Sequence, residues 1–501
     1  MPAFDWSHWL TQFPLVLLTA VHAIAFSLVA LYCLRNRREP TSALLWLFVS
    51  FTFPVVGPIL FAAFGVNRVP IKGWHKQRSD QEFLSERRLR EDATMPLAYW
   101  RAMREAGAVE PASPFARELN TTMNAMLSDY PLLGGNRIEP LVTGEECFPR
   151  MMEAIRSARH HIHLQTFIVG NDGIGRQFLD LLREKAESGV AVRFLYDRFG
   201  STHALIGGLL HRYRRVPNMR LAGWTQANPI KRQFQFNLRN HRKILIVDGQ
   251  QAFTGGINLA VNNVRQGERR PDRDYHFAMR GPIVQELQYS FLCDWYFTTD
   301  EDPQALLTDT HFPALAPAGS ALIRVIDGGP TSRVETMTDV IFASVVAARK
   351  QLLAVTPYLV PTQDILRAFR SAALRGVDVR LVVPRQNNHV YAGMAGRALY
   401  DDLLSAGVRI FERRPPFMHA KALLVDDELA LVGTANLDVR SLRLNYETNL
   451  AVYDEAFLNM LKRVVLEEIA LSDEVELASW RRRPTSQRLM ENFCNLLTPI
   501  L

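Results

Sequence analysis

The stretch HAKALLVDDELALVGTAN, from His419 to Asn436, decides the fold because a second stretch, HRKILIVDGQQAFTGGIN from His241 to Asn258, repeats its pattern. Both follow His-x-Lys-x(4)-Asp with a strand-like apolar centre, then a small-residue turn and an asparagine. At ordinary residue frequencies one such motif occurs on the order of a few hundredths of a time per chain. Two matching copies therefore indicate an internal duplication.

The sequence around the two motifs repeats as well. FPRMMEAIRSAR before IHLQTFIV in the first half matches DVIFASVVAARKQ before LLAVTPYLV in the second half. A further helix pattern in each half stops at a glycine, Gly189 or Gly376. We expect the apolar positions of these helices to face the core: Phe148, Met151, Met152, Ile155, Phe178, Leu181, Leu182, Ile365, Leu366 and Phe369. The pattern predicts an α/β fold of two pseudo-symmetric halves, each a mixed β-sheet flanked by helices.

The N-terminal region carries two long apolar segments. Gln12–Leu34 contains one histidine and no charged residue, and Ala43–Phe64 contains no ionisable side chain, so each predicts a transmembrane helix. Pro54, Gly57 and Pro58 leave open a kinked or re-entrant second segment. The first nine residues are acidic rather than basic, so we expect the segments to be retained rather than cleaved. Basic residues flank the second segment on both sides, which leaves the orientation in the membrane undecided.

These patterns divide the 501-residue chain into four regions. We expect a membrane anchor over 1–67 with spans near 12–34 and 43–64, a connector over 68–135, and halves over 136–317 and 318–501. The charged run RSDQEFLSERRLRED in the connector is typical of short helices with a solvated face.

Composition restricts the choice of partners less than the motifs do. The chain is 48% apolar and 22% charged, as in a folded protein, and its formal charge of +7 favours anionic partners such as phospholipids or nucleic acid. The four cysteines stand singly, so we expect packing thiols rather than a zinc site or disulfides.

The motif residues fit phosphodiester chemistry. Side chains alternate along a strand, so His241 and Lys243 should share one face, as should His419 and Lys421. If the halves pack about a pseudo-twofold axis, one pocket would hold two histidines, two lysines and the asparagines Asn258 and Asn436. The cations and amides could bind the nonbridging oxygens, while one imidazole attacks phosphorus and the other transfers protons. We expect neither a metal nor a cofactor.

The duplicated motif resembles the signature of the phospholipase D superfamily, from about residue 136 to the end of the chain. With its two apolar segments and the runs IHLQTFIVGNDGIG, RDYHFAMRGPIVQELQYSFLCDW, SLRLNYETNL and WRRRPTSQRLMENF, the chain resembles the long, membrane-anchored bacterial cardiolipin synthases. This resemblance implies a phosphatidyltransferase of the bacterial cytoplasmic membrane, multi-pass and bound to the bilayer. Two phosphatidylglycerol molecules, donor and acceptor, would become cardiolipin and glycerol through a phosphohistidine.

The resemblance also implies residue roles. His241 would be the nucleophile and His419 the general acid and base, with Lys243, Lys421, Asn258 and Asn436 on the phosphate. Asp274 and Glu447, one downstream of each motif, would orient the histidine of that motif. Asp248 and Asp426 complete the catalytic signature, but they follow strands and we expect them to support the structure.

Other functions remain open at this point. The alternatives are a phospholipase D-type hydrolase, a phosphatidyltransferase for another lipid, a phosphodiesterase nuclease, or an inactive membrane scaffold. The apolar segments and the lack of a basic strip interleaved with aromatics argue against nucleic acid. Intact motif residues argue against a scaffold, and whether the chain forms a homo-oligomer is left undecided.

Overall fold

The computed structural model describes residues 6–36, 40–66, 69–92, 100, 109–127, 129–224, 238–330 and 335–498. The chain divides into two compact units, Met1–Ile71 and Lys72–Leu501.

The first unit consists of apolar helices. They are α1 (Trp6–Arg35), α2 (Pro40–Thr52), α3 (Val56–Leu60) and a π-helical turn over Phe61–Gly65. Within α1, Val16–Arg35 is long and apolar enough to cross a membrane. Phe61 packs against Val29 and Cys33, with the Tyr32 and Trp46 rings 5.5 and 5.6 Å from its own.

The second predicted span is not one continuous helix. The apolar helices there, Pro40–Thr52 and Val56–Gly65, are each shorter than a full span. They are separated because Pro54 has no N–H to donate and Val55 adopts a φ of 65°. The prediction of one uninterrupted helix over 43–64 is therefore wrong. The alternative that Pro54, Gly57 and Pro58 left open, a kinked second segment, agrees with the structure.

The second unit carries the remaining elements. Its helices are α4 (Val69–Asp92), α5 (Pro114–Met126), α6 (Thr143–Ser157), α7 (Gly173–Glu187), α8 (Thr202–Ile206), α9 (Ile283–Thr299), α10 (Pro303–Leu306), α11 (Thr336–Ala347), α12 (Gln363–Leu374), α13 (Val390–Ala398), α14 (Tyr400–Ser405), α15 (Val439–Arg443), α16 (Glu455–Ala470), α17 (Leu477–Arg481) and α18 (Thr485–Leu496). Short 3₁₀ turns cover Leu210–Tyr213 and Val261–Asn263.

The strands of this unit are β1 (Leu133–Val142), β2 (His161–Thr166), β3 (Ala191–Asp197), β4 (Met219–Trp224), β5 (Ile244–Val247), β6 (Gln251–Gly255), β7 (Tyr275–Arg280), β8 (Ala321–Gly328), β9 (Gln351–Val355), β10 (Asp378–Pro384), β11 (Arg409–Arg413), β12 (Ala422–Val425), β13 (Leu429–Gly433), β14 (Glu447–Tyr453) and β15 (Ser472–Glu474).

The described strands form one mixed sheet of 15 strands, in the order β15-β11-β10-β9-β12-β13-β14-β8-β1-β7-β6-β5-β2-β3-β4. The central pair, β1 and β8, is antiparallel. Outward from that pair, each side has four antiparallel pairings followed by two parallel ones, and β15 adds an antiparallel edge. Each motif strand, β5 or β12, therefore occupies the same place in its run.

The predicted core positions are buried. Phe178, Leu182, Ile365 and Phe369 are fully inaccessible, and of the ten predicted positions only Met152 is partly exposed. Gly189 and Gly376 follow their helices with φ of 98° and 89°, a left-handed conformation that glycine adopts without steric cost. All four cysteines are free and buried, as expected of packing thiols.

The charged connector has the solvated face that its composition predicted, with Arg78 and Glu82 exposed, but its run forms one long helix, α4, whose other face is buried. Lys76, Phe83 and Arg87 of α4 are buried against α9. Lys76 pairs with Asp294 at 3.2 Å, and Arg87 pairs with Glu286 at 3.1 Å. Local sequence could not reveal these partners because they lie about 200 residues away on a helix that is itself buried.

Asp248 and Asp426 sit in equivalent tight turns after β5 and β12, each with a φ of 53°. The Asp248 carboxylate accepts the backbone N–H groups of Arg159, His160 and His161 at 2.8–2.9 Å. Asp426 does the same for residues 349–351 at 2.7–2.8 Å. Both acids therefore fasten the motif hairpin to the start of the neighbouring strand.

We predict that Asp426→Ala lowers the free energy of unfolding by about 2 kcal/mol or more, because three N–H groups lose a charged acceptor. Asp427→Ala is the matched control, since Asp427 also has a positive φ of 60° but pairs only with Lys462 at the surface. Thermal unfolding in detergent measures both. Equal losses of Tm would contradict the role assigned to Asp426.

Candidate active site

Each motif histidine is placed by a chain segment from the other half of the sheet. The N–H of His241 donates to the carbonyl of Tyr446 at 2.9 Å, and Tyr446 in turn donates to Arg239 at 2.8 Å. The N–H of His419 donates to the carbonyl of Arg273 at 2.7 Å. Tyr446 and Arg273 directly precede Glu447 and Asp274, so these short bridges deliver a carboxylate to each imidazole.

The histidine–carboxylate pairs are consequently crossed. His241 Nδ1 lies 2.8 Å from Glu447 Oε2, and His419 Nδ1 lies 2.7 Å from Asp274 Oδ2. The expected orienting residues do contact histidines, but each belongs to the opposite half from the one expected. The expectation took a carboxylate near its motif in sequence to be near it in space, whereas the parallel bridges connect each histidine segment to the far half.

His419 Nδ1 has a second close neighbour, Lys421 Nζ, also at 2.7 Å. Bonding to the carboxylate requires a proton on Nδ1, whereas accepting from the ammonium requires Nδ1 to be bare. We assign the first arrangement because the Asp274 carboxylate is charged and buried, which makes its hydrogen bond the stronger one. Nε2 of each imidazole is then free for chemistry.

The two lysines are buried beside the histidines. Lys243 donates to the carbonyl of His241 at 2.6 Å, and Lys421 donates to the carbonyl of His419. In each copy β5 or β12 begins just after the lysine, so His-x-Lys lies on the entry to the strand and not within it. The lysines are only 2% and 4% exposed, which removes both ammonium groups from most of the solvent.

Burial and neighbouring charges shift the pKa values of this cluster. Burial lowers the pKa of Lys243 to about 7 and that of Lys421 to about 8. Burial, together with Lys421, lowers the pKa of His419 to about 4, and burial lowers that of His241 against the opposing effect of Glu447. The imidazoles are therefore neutral at pH 7.

The pKa values of the two carboxyl groups are lowered, which keeps both groups ionised. Burial raises the pKa of Asp274, but Lys421 and His419 outweigh it and hold the value below the ordinary one. Burial likewise raises the pKa of Glu447, and His241 with Lys243 outweighs it. Glu447 and Asp274 oppose the effect of burial on the pKa values of both lysines, and an added phosphodiester anion would favour the protonated lysines further.

Both histidines open onto one cavity of about 880 Å³, together with Asn258 and Asn436. Asn258 accepts the N–H of Ile168 at 3.1 Å through its side-chain oxygen, while the Asn436 side-chain oxygen is buried with no hydrogen-bond partner among the residues that the structure describes. The structure thus brings eight of the ten predicted site residues together. Asp248 and Asp426 instead lie at the far ends of β5 and β12.

The small-residue turn after each motif strand reads Gly255-Gly256 in the first copy and Gly433-Thr434 in the second. The second residue differs for a steric reason. Thr434 donates to Glu447 Oε2 at 2.6 Å, which holds the carboxylate on His241. At Gly256, a Cβ would come within 2.0 Å of Asp274 Oδ1, so no side chain fits there. Asp274 is instead held by the N–H of Tyr275 at 2.8 Å.

Sequence reasoning missed the support behind His241. Asp294 accepts from Asn240 at 2.7 Å and from Gln165 at 2.8 Å, and it pairs with Arg242 at 2.7 Å. The signal was available in part, because Asn240 and Arg242 flank the motif histidine. The partner Asp294 could not be found from sequence, since it lies on the buried helix α9.

Aromatic walls were also missed. The Phe167 ring lies 5.0 Å from the His241 ring, and the Tyr358 ring lies 6.2 Å from the His419 ring. Both aromatics line the cavity. Among the described residues, no group of three or more His, Cys, Asp or Glu side chains is arranged to hold a metal ion.

Two known protein families match segments of this sequence. Residues 151–295 and 341–467 match a family described as cardiolipin synthase, PLD-like domain. Residues 24–65 match a family described as phospholipase D-nuclease N-terminal.

Similar proteins extend over nearly the whole chain. A cardiolipin synthase of Geobacillus kaustophilus is 34% identical over 94% of this chain and 91% of its own. One of Alkalihalophilus pseudofirmus is 32% identical over 97% and 94%. Among solved structures, a phosphatidylserine synthase of Haemophilus influenzae has a TM-score of 0.57 and 18% identity over 76% of this chain and 99% of its own, which shows a shared fold.

The crossed pairs predict which variant alters which imidazole. Glu447→Gln should lower the proton affinity of His241 by about tenfold or more and leave His419 nearly unchanged, because a buried charged partner is removed. Asp274→Asn should do the converse. Nuclear magnetic resonance titration of ¹⁵N-histidine-labelled protein measures both, with His241→Ala and His419→Ala assigning the signals. An effect of Asp274→Asn on His241 alone would contradict the crossed arrangement.

Proposed function

The chain belongs to the cardiolipin synthases with phospholipase D-like domains, and we propose that it transfers a phosphatidyl group from one phosphatidylglycerol to another through a phosphohistidine. The products are cardiolipin and glycerol. The observation that carries the proposal is the cavity with two imidazoles whose Nδ1 atoms are fixed by carboxylates. That arrangement leaves one nitrogen on each ring for the substrate.

In the first step, His241 Nε2 attacks the donor phosphorus. A P–N bond forms, the P–O bond to the headgroup glycerol breaks, and the leaving oxygen takes a proton from the His419 imidazolium. Asp274 and the incoming phosphate anion both favour that protonated form of His419. Lys243 and Lys421, with Asn258 and Asn436, stabilise the charge on the nonbridging oxygens.

In the second step, the neutral His419 removes the proton from a hydroxyl of the second phosphatidylglycerol. That oxygen attacks phosphorus, the P–N bond breaks, and His241 is regenerated. One phosphodiester is exchanged for another, so the reaction needs no nucleotide. Lysine in place of a metal supplies the positive charge.

We extend the proposal to the architecture. The two runs of strands are duplicated halves, supported by their identical series of pairings on either side of β1 and β8. Both apolar N-terminal segments reside in the bacterial cytoplasmic membrane, the second as a broken helix. Keeping the catalyst in the plane of its lipid substrates raises their effective concentration.

We predict that the phosphate of ³²P-labelled phosphatidylglycerol becomes attached to His241. The linkage should be labile in acid and stable in base, as a phosphoramidate is, and should be absent from His241→Ala. His241→Ala and His419→Ala should each abolish transfer while the protein remains folded and bound to membranes. Quenching in detergent at mildly alkaline pH, followed by peptide mapping at the same pH, locates the label.

Product analysis distinguishes the competing reactions. Cardiolipin with equimolar glycerol supports transfer, whereas phosphatidic acid would replace the proposal with hydrolysis by the same intermediate. Label on His419 would reverse the two roles. Loss of turnover on adding a chelator, restored by a divalent ion, would contradict charge stabilisation by lysine.

We predict that kcat/KM for phosphatidylglycerol decreases as the pH rises from 7 to 9. Lys243 and Lys421, with pKa values of about 7 and 8, lose their charge in that window, and protonation of His419 declines in the same direction. Initial rates at constant ionic strength measure the profile. A flat profile up to pH 10 would mean that the lysines have ordinary pKa values in the free enzyme.

A further inference from the structure

Helix α18 exposes an apolar stripe. Leu489 is 64% exposed, Met490 53%, Phe493 56%, Leu496 77% and Leu497 37%. Positions spaced by four, seven and eight residues lie on one side of a helix, so these side chains form one continuous face. An amphipathic helix on a protein surface normally turns that face towards the core.

The face of α18 that packs against the protein is a different one. Cys494 is buried with Ala395 and Val360, and α13 supplies Met394 beside it. Glu491 is buried and accepts from Arg483 and Gln487. The packing of α18 is thus provided by a narrow, partly polar side, and its widest apolar surface remains outside.

This stripe borders the active-site cavity. Thr498, next to Leu497, lines the cavity, as does Tyr391 at the start of α13. Tyr391 is 45% exposed and its neighbour Val390 is 64% exposed. The C-terminal helix and α13 therefore form an apolar rim on one side of the mouth.

The first half supplies the other side of the rim. Phe199 lines the cavity and is 62% exposed, and Ile206, at the end of α8, is 82% exposed. Thr202 and His203 of the same short helix also line the cavity. Exposed apolar side chains from both halves thus surround the opening to the two histidines.

The polar surroundings of the stripe are basic. Arg482 and Arg488 are exposed, and Arg488 lies immediately before Leu489. Cations beside an apolar helical face favour a surface of anionic lipids, because headgroup attraction adds to burial of the apolar side chains. A water-soluble protein partner would not explain why the apolar surface continues into the wall of a cavity.

We propose that the α18 stripe and the rim dock onto a bilayer that contains anionic phospholipid, with the stripe in the interface and the cavity mouth at the lipid surface. A lipid can then pass from the bilayer to the histidines while its acyl chains stay against the apolar side chains of the rim. The inference rests on the proposed function for its choice of lipid substrate. The contact itself is testable without turnover.

The test places a solvatochromic fluorophore on Phe493→Cys in the full chain, reconstituted into vesicles of phosphatidylglycerol and phosphatidylcholine. Brominated acyl chains should quench this label strongly. Leu374→Cys is the control, since Leu374 is apolar, is 72% exposed, and lies at the end of α12 that leads into β10, on the Asp426 side of the sheet. The native cysteines are buried, and the unsubstituted chain corrects for any labelling of them.

Equal or absent quenching at the two positions would overturn the proposal. Shielding of the Phe493→Cys label in detergent that grows with protein concentration would also overturn it, in favour of a second copy on the stripe. Quenching without any cardiolipin formation would leave the docking intact and refute the proposed function.

A kinetic test separates docking from folding. Phe493→Ser with Leu496→Ser should raise the apparent KM for phosphatidylglycerol in vesicles by about tenfold or more, since two large apolar side chains lose their burial in lipid. The same variant should act almost normally on short-chain phosphatidylglycerol dispersed in detergent. Leu374→Ser should match the unsubstituted protein in both assays. An equal loss of activity of the double variant in both assays would contradict docking.

Discussion

The whole site depends on the exchange of carboxylates between the two halves of the sheet. His241 is held by Glu447 and His419 by Asp274, and in each case a backbone bridge from the opposite half sets the distance. A buried imidazole without such a partner would lose the hydrogen bond that fixes its tautomer. Because neither half holds both members of a pair, docking of the halves is what creates a competent site.

Burial of this cluster costs free energy of hydration and makes the protonation of its groups sensitive to neighbouring charges. Lys243 and Lys421 are almost inaccessible, so they remain charged only where neighbouring carboxylates offset the loss of hydration. Behind the cluster, Asp294 joins Arg242 and Asn240 to Lys76 of α4. The charged connector after the apolar N-terminal helices is therefore part of the structure that fixes the segment around His241.

The two imidazoles have similar but unequal surroundings. Glu447 receives hydrogen bonds from Thr434 and Asn445, whereas Asp274 receives the Tyr275 N–H and faces Lys421 at 3.8 Å. The nearby ammonium disfavours a positive charge on His419 until an anion arrives. Under the proposed function, such inequality would let the two copies of the motif divide nucleophilic and proton-transfer roles.

The sequence by itself determined the repeated motif, the α/β class, the core faces of the helices and the identity of the motif residues. These features follow from local periodicity and from residue types that repeat at fixed spacing. Asp248 and Asp426 could also be assigned to structural support, because they follow short apolar strands.

Only the tertiary structure decided which carboxylate serves which histidine, since pairing across the sheet depends on strand order and not on distance along the chain. It also decided that one face of α4 is buried, through ion pairs to α9, and that the second apolar segment is broken at Val55. Tertiary structure likewise decided that the apolar stripe of α18 faces outward. An amphipathic pattern specifies two faces of a helix, and long-range packing selects the one that is covered.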